Sequence, residues 1–201
     1  TDTPTGTPTV IPSPTATPIA EVVTTILSGQ RPHGMAVDAL RNLVYVANHW
    51  GGNVSVIDGN IHWITDTIQL GGSLGANGIA FDPLQRRLYV SSKYTDDLVA
   101  VPAAGGPSVS ILVGHQPNGV DMNPADGTIY AANFGSSTLS LVDGPANTQT
   151  TTSPADGEPS LVVRHPLTNK VYVTNHQAHT VGVYNGSTGA LLRSINTAYS
   201  D

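Results

Sequence analysis

A repeated four-stranded antiparallel unit, all β, is the fold class that this 201-residue sequence predicts. Three observations carry that expectation. Asp supplies 12 of the 14 acids, with only Glu21 and Glu158 besides, while Gly and Pro number 21 and 15. Helices favour Glu, Lys, Ala and Leu, whereas turns favour Asp, Asn, Gly and Pro. Short apolar runs with period-two alternation recur along the chain, bounded by turn residues. The chain also repeats itself: Tyr45, Tyr89, Tyr130 and Tyr172 are separated by 44, 41 and 42 residues, each inside a matching run.

The elements follow in order from that alignment. Strand a is short and apolar, as in GMAVD, GIAFD and GVDMN, and is preceded by the column Pro32, Ala76, Pro117 and Pro159. Turns rich in Asp, Pro, Gly or Asn lead into strand b, which carries the tyrosine: LVYVAN, LYVSS, IYAAN and VYVTN. Strand c alternates (VSVID, LVAV, LSLVD, VGVY), and Asp58-Gly59, Asp143-Gly144 and Asn185-Gly186 mark the hairpin into strand d. A unit of this kind cannot bury both faces alone and needs copies stacked on either side, which is the logic of a β-propeller blade.

VYVTN at 171–175, with its echoes at 43–48 and 129–133, resembles the YVTN-type β-propeller repeat of bacterial and archaeal extracytoplasmic proteins. The resemblance runs from about Ile19 to Ile195 over four repeats. The second repeat departs most, with Ser92 for Asn, Ala76 for Pro and Pro102 for Asp, and the fourth has Leu161 for the strand-a Gly. The resemblance implies a ring that is usually seven-bladed, which at this repeat length would need about 300 residues. The chain opens on a lone strand d at Val22–Leu27 and ends on another at Ala190–Ile195. The expectation is therefore four blades of a larger ring, over residues 19–201. Residues 1–18 form a separate tract in which seven Thr and five Pro fill twelve of eighteen positions. Such a segment builds no core and reads as an extended spacer of a secreted or cell-surface protein.

Composition also excludes functions. Eight Lys plus Arg against 14 acids give a net charge of −6, which argues against a nucleic-acid binder. No apolar run approaches the length of a membrane-spanning helix. The absence of Cys removes disulfide frameworks, zinc fingers and iron–sulfur sites. No P-loop, nucleophile elbow or H-E-x-x-H occurs. No cofactor or metal is expected: His176 and His179 lie in a loop and bring no third ligand, and Asp96-Asp97 and Asp156-Gly-Glu158 lack calcium-loop spacing.

In a propeller the d-to-a and b-to-c loops share one face around the channel mouth, where ligand sites gather on a rigid scaffold. Two columns fall there. One is His33, Asn77, Asn118 and Ser160; the other is His49, Lys93, Phe134 and His176. His33, His49, Asn77, Lys93, Asn118 and His176 are the candidate binding residues, for a protein or a small polar or carbohydrate ligand. Trp50 is the candidate for stacking on a sugar. Asn48, Asn133 and Asn175 are expected to be structural, ending strand b by bonding their own backbone in left-handed geometry. The function read from these residues is a non-catalytic binding or scaffold module, of unassigned oligomeric state. Two alternatives stand beside it. One is a hydrolase like the propeller lactonases related to this repeat family, using His33, Asn77, Asn118 and Glu158. The other is a structural array protein of a surface layer.

Overall fold

The structure, a computed structural model, describes residues 23–72 and 75–197. The Thr/Pro tract and Val22 lie outside the described residues. Sixteen strands make four antiparallel four-stranded sheets, each in simple chain order. Blade 1 is β1 (Pro32–Asp38), β2 (Leu43–Asn48), β3 (Asn53–Asp58) and β4 (Trp63–Gln69). Blade 2 is β5 (Ala76–Asp82), β6 (Arg87–Ser92), β7 (Asp97–Pro102) and β8 (Val109–Leu112). Blade 3 is β9 (Pro117–Met122), β10 (Thr128–Asn133), β11 (Thr138–Asp143) and β12 (Thr148–Pro154). Blade 4 is β13 (Pro159–His165), β14 (Lys170–Asn175), β15 (Thr180–Asn185) and β16 (Leu191–Asn196). No helix occurs among the described residues. The all-β expectation and its four repeats hold.

The core lies between blades, and period-two alternation puts it there. On β6, Leu88 and Val90 join a cluster with Tyr45, Val54 and Val56 of blade 1. Tyr89, between them in sequence, points the other way and packs with Ile129, Ala131 and Val142 of blade 3. A third cluster joins Tyr130, Leu139 and Leu141 to Val171, Val173 and Tyr184 of blade 4. In blades 1 to 3, strands b and c therefore lose water on both faces, while β14 of blade 4 keeps one face largely open; each fully buried side chain stabilises the stack by roughly 1.5–3 kcal/mol. The expectation that the strand-b tyrosines pack between blades is met for Tyr45, Tyr89 and Tyr130, and the Tyr130 hydroxyl donates to Gly186 O at 2.8 Å across the boundary; Tyr172, in the last blade, is only half-buried.

The inner strands β1, β5, β9 and β13 stand side by side, and glycine lets them approach. A Cβ on Gly34, Gly78 or Gly119 would lie 2.3, 2.3 and 2.7 Å from a carbonyl oxygen of the next blade's inner strand. At the fourth such position stands Leu161, 59% exposed.

Two sequence expectations need correction. The Asp-Gly and Asn-Gly pairs do mark the hairpins between strands c and d, but not as tight turns with a left-handed glycine. The first two loops have four residues and the third has five, and each carries a left-handed residue at its fourth position: His62 (φ 53°), Asn147 (φ 54°) and Gly189 (φ 72°). The leading glycine is required by proximity instead. A Cβ on Gly144 would lie 2.6 Å from Gly127 O and 2.8 Å from the Tyr89 hydroxyl. Of the lone strand expected at Val22–Leu27, the described residues 23–27 form no strand, and residues 23–28 carry no ladder pairing. Blade 1 already has β4 as its outer strand, so the backbone groups of 23–27 find no strand c to pair with.

Blades 1 and 2 are further clamped on the side opposite the mouth. Asp38 is buried at the end of β1; its Oδ1 accepts from the N–H groups of Leu40 (3.1 Å) and Arg41 (3.2 Å). Its Oδ2 meets the Arg86 guanidinium of blade 2 at 3.0 Å. Burial alone would raise the Asp38 carboxyl, but the Arg86 hydrogen bond, the Arg41 N–H and both guanidinium charges outweigh it and hold it below the ordinary 3.8. A depressed carboxylate contributes stability that is complete above 3.8 and is lost as pH falls through the lower folded value. Arg86→Ala should thus cost about 2 kcal/mol near neutrality, with the gap to wild type closing in acid. Urea unfolding of both proteins from pH 7 to pH 3 checks this, and a gap that stays constant with pH would refute it.

Candidate functional site

The mouth is built by one backbone device used four times. The first residue after strand b donates its N–H to the residue just before strand a: His49 to Arg31 O (2.9 Å), Lys93 to Gly75 O, Phe134 to Gln116 O and His176 to Glu158 O (3.0 Å each). This pins each b-to-c loop onto the d-to-a crossing of its own blade, so both loops share one face as the sequence columns require. The residues before strand a, Arg31, Gln116 and Glu158, are left-handed at φ 51–55°, which turns the chain sharply into the inner strand.

Polar side chains on this face form a continuous chain across all four blades. His49 Nδ1 lies 2.5 Å from Asn77 Oδ1, Asn77 Nδ2 donates to Asn118 Oδ1 at 2.8 Å, and Asn118 Nδ2 donates to Ser160 Oγ at 3.2 Å. With an amide oxygen opposite it, Nδ1 is the donor. The other ring nitrogen, Nε2, lies 3.3 Å from the Tyr94 hydroxyl. His49 and Asn77 are buried, so these bonds hold a fixed floor under the mouth.

Cationic groups collect around that floor. The His33 ring is 6.1 Å from the His49 ring. Burial, then His49, Arg31 and Lys93, push His33 below its ordinary 6.5, against a hydrogen bond to the Asn77 backbone. The Arg31 guanidinium lies over the Trp50 ring at 5.0 Å, and Lys93 Nζ lies 5.3 Å from the Phe134 ring centre. Among the described residues, no carboxylate is within ion-pair distance of Arg31 or Lys93. The nearby acids are committed elsewhere. Asp96 accepts from Gln116 N (2.8 Å) and pairs with His115 (2.8 Å), while Asp97 accepts from Thr95 and Ser110.

Five of the six candidate residues thus gather: His33, His49, Asn77 and Lys93 around blades 1 and 2, with Asn118 extending the chain to blade 3. His176 stands apart, exposed and 3.3 Å from Glu158. Of the first column, Asn77, Asn118 and Ser160 join the chain but His33 does not; His49 of the second column takes its place beside Asn77, because its ring turns inward from the loop. Arg31 and Tyr94 were missed, although each sits one residue from a column already aligned. No group of three metal-ligating side chains occurs among the described residues. The Asn column holds strands together by a different route from the one expected. Asn48 Nδ2 donates to Asn53 Oδ1 (2.7 Å) and Ser55 Oγ (2.9 Å), and Asn133 Nδ2 to Thr138 Oγ1 (3.0 Å) and Ser140 Oγ (2.8 Å). These asparagines bond across to strand c and none is left-handed.

The main open grooves, lined mostly by residues of apolar type, lie elsewhere. A groove of about 430 Å³ separates Thr24–Leu27 from His62–Ile64. A bay of about 350 Å³ opens among Met35, Ile79, Val120 and Val162, further along the inner strands than His33 and its column mates. Neither contains the charged cluster, and size alone does not locate polar recognition. Oriented donors do, and they are concentrated at the mouth.

No family model and no curated protein sequence matches the chain. Among solved structures it is similar to Kuenenia stuttgartiensis hydrazine synthase, a β-propeller-containing protein, with TM-score 0.75 and 16% identity over 89% of this chain and 52% of that one. The chain thus spans about half the length of that neighbour. With 1231 solved chains matching, the likeness identifies the fold of four propeller blades and leaves function to be argued from the site.

Proposed function

We propose that this protein is a non-catalytic binding module of the YVTN-type repeat, working outside the cytoplasm and presenting its mouth loops to a small polar ligand. The observation that carries the reading is the chain His49–Asn77–Asn118–Ser160, a fixed polar floor flanked by two cations that lack carboxylate partners. Side chains already held by hydrogen bonds lose little freedom on binding, which favours recognition. Their bonds run from one amide to the next, with no nucleophile set beside a base. The Thr/Pro tract, residues 1–18, supports the extracytoplasmic placement as a spacer, and membership of the repeat family rests on the VYVTN, LVYVAN and IYAAN motifs.

The test is a saccharide and small-polar-ligand screen by calorimetry, run beside a lactone hydrolysis assay. Binding that falls about tenfold or more in Asn118→Ala, with the melting temperature little changed, is the expected result. Turnover of lactones that disappears in the same variant would replace the binding module with a hydrolase.

A further inference from the structure

The cations at the mouth narrow the ligand class. Arg31 lies over Trp50 and Lys93 over Phe134 on this face, beside the His33 and His49 rings 6.1 Å apart, and both cations oppose protonation of His33. Lys and Arg total only 8 in a chain of net charge −6. Placing two of them on one face without a carboxylate partner is a local reversal of the protein's field. Like charges held together disfavour one another, and an anion between them relieves that repulsion.

The aromatic groups add a second, independent requirement. Trp50 and Tyr94 are 62% and 60% exposed on the same loops. Trp50 is held beneath the Arg31 guanidinium and Tyr94 against His49, edge-on with ring centres 5.5 Å apart. Their flat faces suit the apolar face of a pyranose. The floor also retains capacity for hydroxyls. Asn118 spends one amide proton on Ser160, leaving the second, and the Ser160 hydroxyl accepts that bond with its own proton unspent. A polyanion such as nucleic acid would meet two cations here and an acidic surface beyond, so the charge must be carried by a small group.

Resting on the binding-module reading, we infer that the mouth between blades 1 and 2 binds an acidic monosaccharide unit of the hexuronate class. Arg31, His33 and Lys93 take the carboxylate, Trp50 and Tyr94 flank the ring, and Asn118 and Ser160 meet its hydroxyls. Carboxylate recognition by a guanidinium and an ammonium uses charge-assisted hydrogen bonds, which are stronger than neutral ones. His33 adds to them when protonated. Its neighbours are Arg31, His49, Lys93 and the Asn77 backbone. All of the charged ones oppose its protonation in the free protein, and a bound carboxylate favours it. Affinity should therefore rise as pH falls through 6.5 and below.

The experiment is a calorimetric titration of the whole chain with glucuronate, glucose, acetate and an acidic peptide, at low and moderate salt. Glucuronate is expected to bind, with glucose and acetate each at least tenfold weaker. Lys93→Gln and Arg31→Gln should each weaken glucuronate about tenfold and flatten its salt dependence. Trp50→Ala should weaken it without changing the salt dependence, and His33→Gln should remove the tightening between pH 7.5 and pH 5.5. All four positions are at the surface or partly so, and thermal melts confirm that the variants fold. Equal binding of glucose and glucuronate, unaffected by Lys93→Gln, overturns the acidic-sugar inference but leaves the binding module standing. Acetate as tight as glucuronate overturns the sugar component, and preference for the peptide overturns the ligand class. Failure of every probe here and in the broader saccharide screen removes both readings.

Discussion

Gly78→Ala should leave the protein largely unfolded or insoluble. The added Cβ would sit 2.3 Å from Asn118 O, 2.7 Å from Val120 N and 3.0 Å from Gly119 C. All three are backbone atoms of β9, so no side chain can swing away, and relief requires blade 3 to move from blade 2. That movement would break the bond from Ser91 Oγ to Asn118 O (2.6 Å) and stretch the Asn77–Asn118 link (2.8 Å). Overpacking a core costs about 1–3 kcal/mol when side chains absorb it, and a backbone clash belongs at or beyond the top of that range. Against a usual stability of about 5–15 kcal/mol, such a loss is readily seen in denaturant midpoint and soluble yield. Leu161→Ala is the matched control. It occupies the equivalent column in blade 4, its side chain is exposed, and the expected change is within about 0.5 kcal/mol. A Gly78→Ala protein that unfolds at the wild-type midpoint would show that inner-strand proximity does not hold the blades.

The contrast between Gly78 and the hairpin glycines shows how far sequence alone reaches. Period, strand order and the presence of four repeats follow from hydrophobic alternation and turn residues, since each is a local property that recurs along the chain. Gly59, Gly144 and Gly186 are equally visible as a column, yet their reason is not local. They are glycine because an a-to-b turn or the tyrosine of the preceding blade presses on them, as Gly127 O and Tyr89 do on Gly144. The Asn column was assigned a structural role, but a turn-forming preference could not show that its partners would be Thr138 and Ser140 on strand c. The mouth was legible by column, because two aligned positions put His33, His49, Asn77, Lys93 and Asn118 on one face. Which histidine would reach Asn77 was not, for it depends on the direction of a single loop side chain. Arg31 and Tyr94 escaped because each differs from its column mates, and a repeat alignment rewards sameness.

Asn133→Asp should produce a pH-dependent loss of stability that Asn133→Ala does not. Asn133 is fully buried; its amide nitrogen donates to Thr138 and Ser140, and its Oδ1 is buried with no partner. Gly114 packs against it, with a would-be Cβ only 2.5 Å from the amide nitrogen. An aspartate there has the same shape but an ionised form that must be desolvated with one oxygen lacking a donor. Thr138 and Ser140 can turn their protons to the other oxygen, which lessens the penalty without removing it. Burial of this degree raises a carboxyl by about three units, equivalent to roughly 4 kcal/mol. With the folded value raised above the unfolded value of about 3.9, the loss is small below that pH and grows as pH rises toward the folded value. Asn133→Ala, which removes the donor and leaves a small void, should cost about 2 kcal/mol at either pH. Urea unfolding of wild type and both variants at pH 4 and pH 7.5, each variant compared with wild type at the same pH, separates the cases. If Asn133→Asp loses no more at pH 7.5 than at pH 4, the strand b asparagine is solvated when the protein is folded, and the clamp between strands b and c does not depend on its amide.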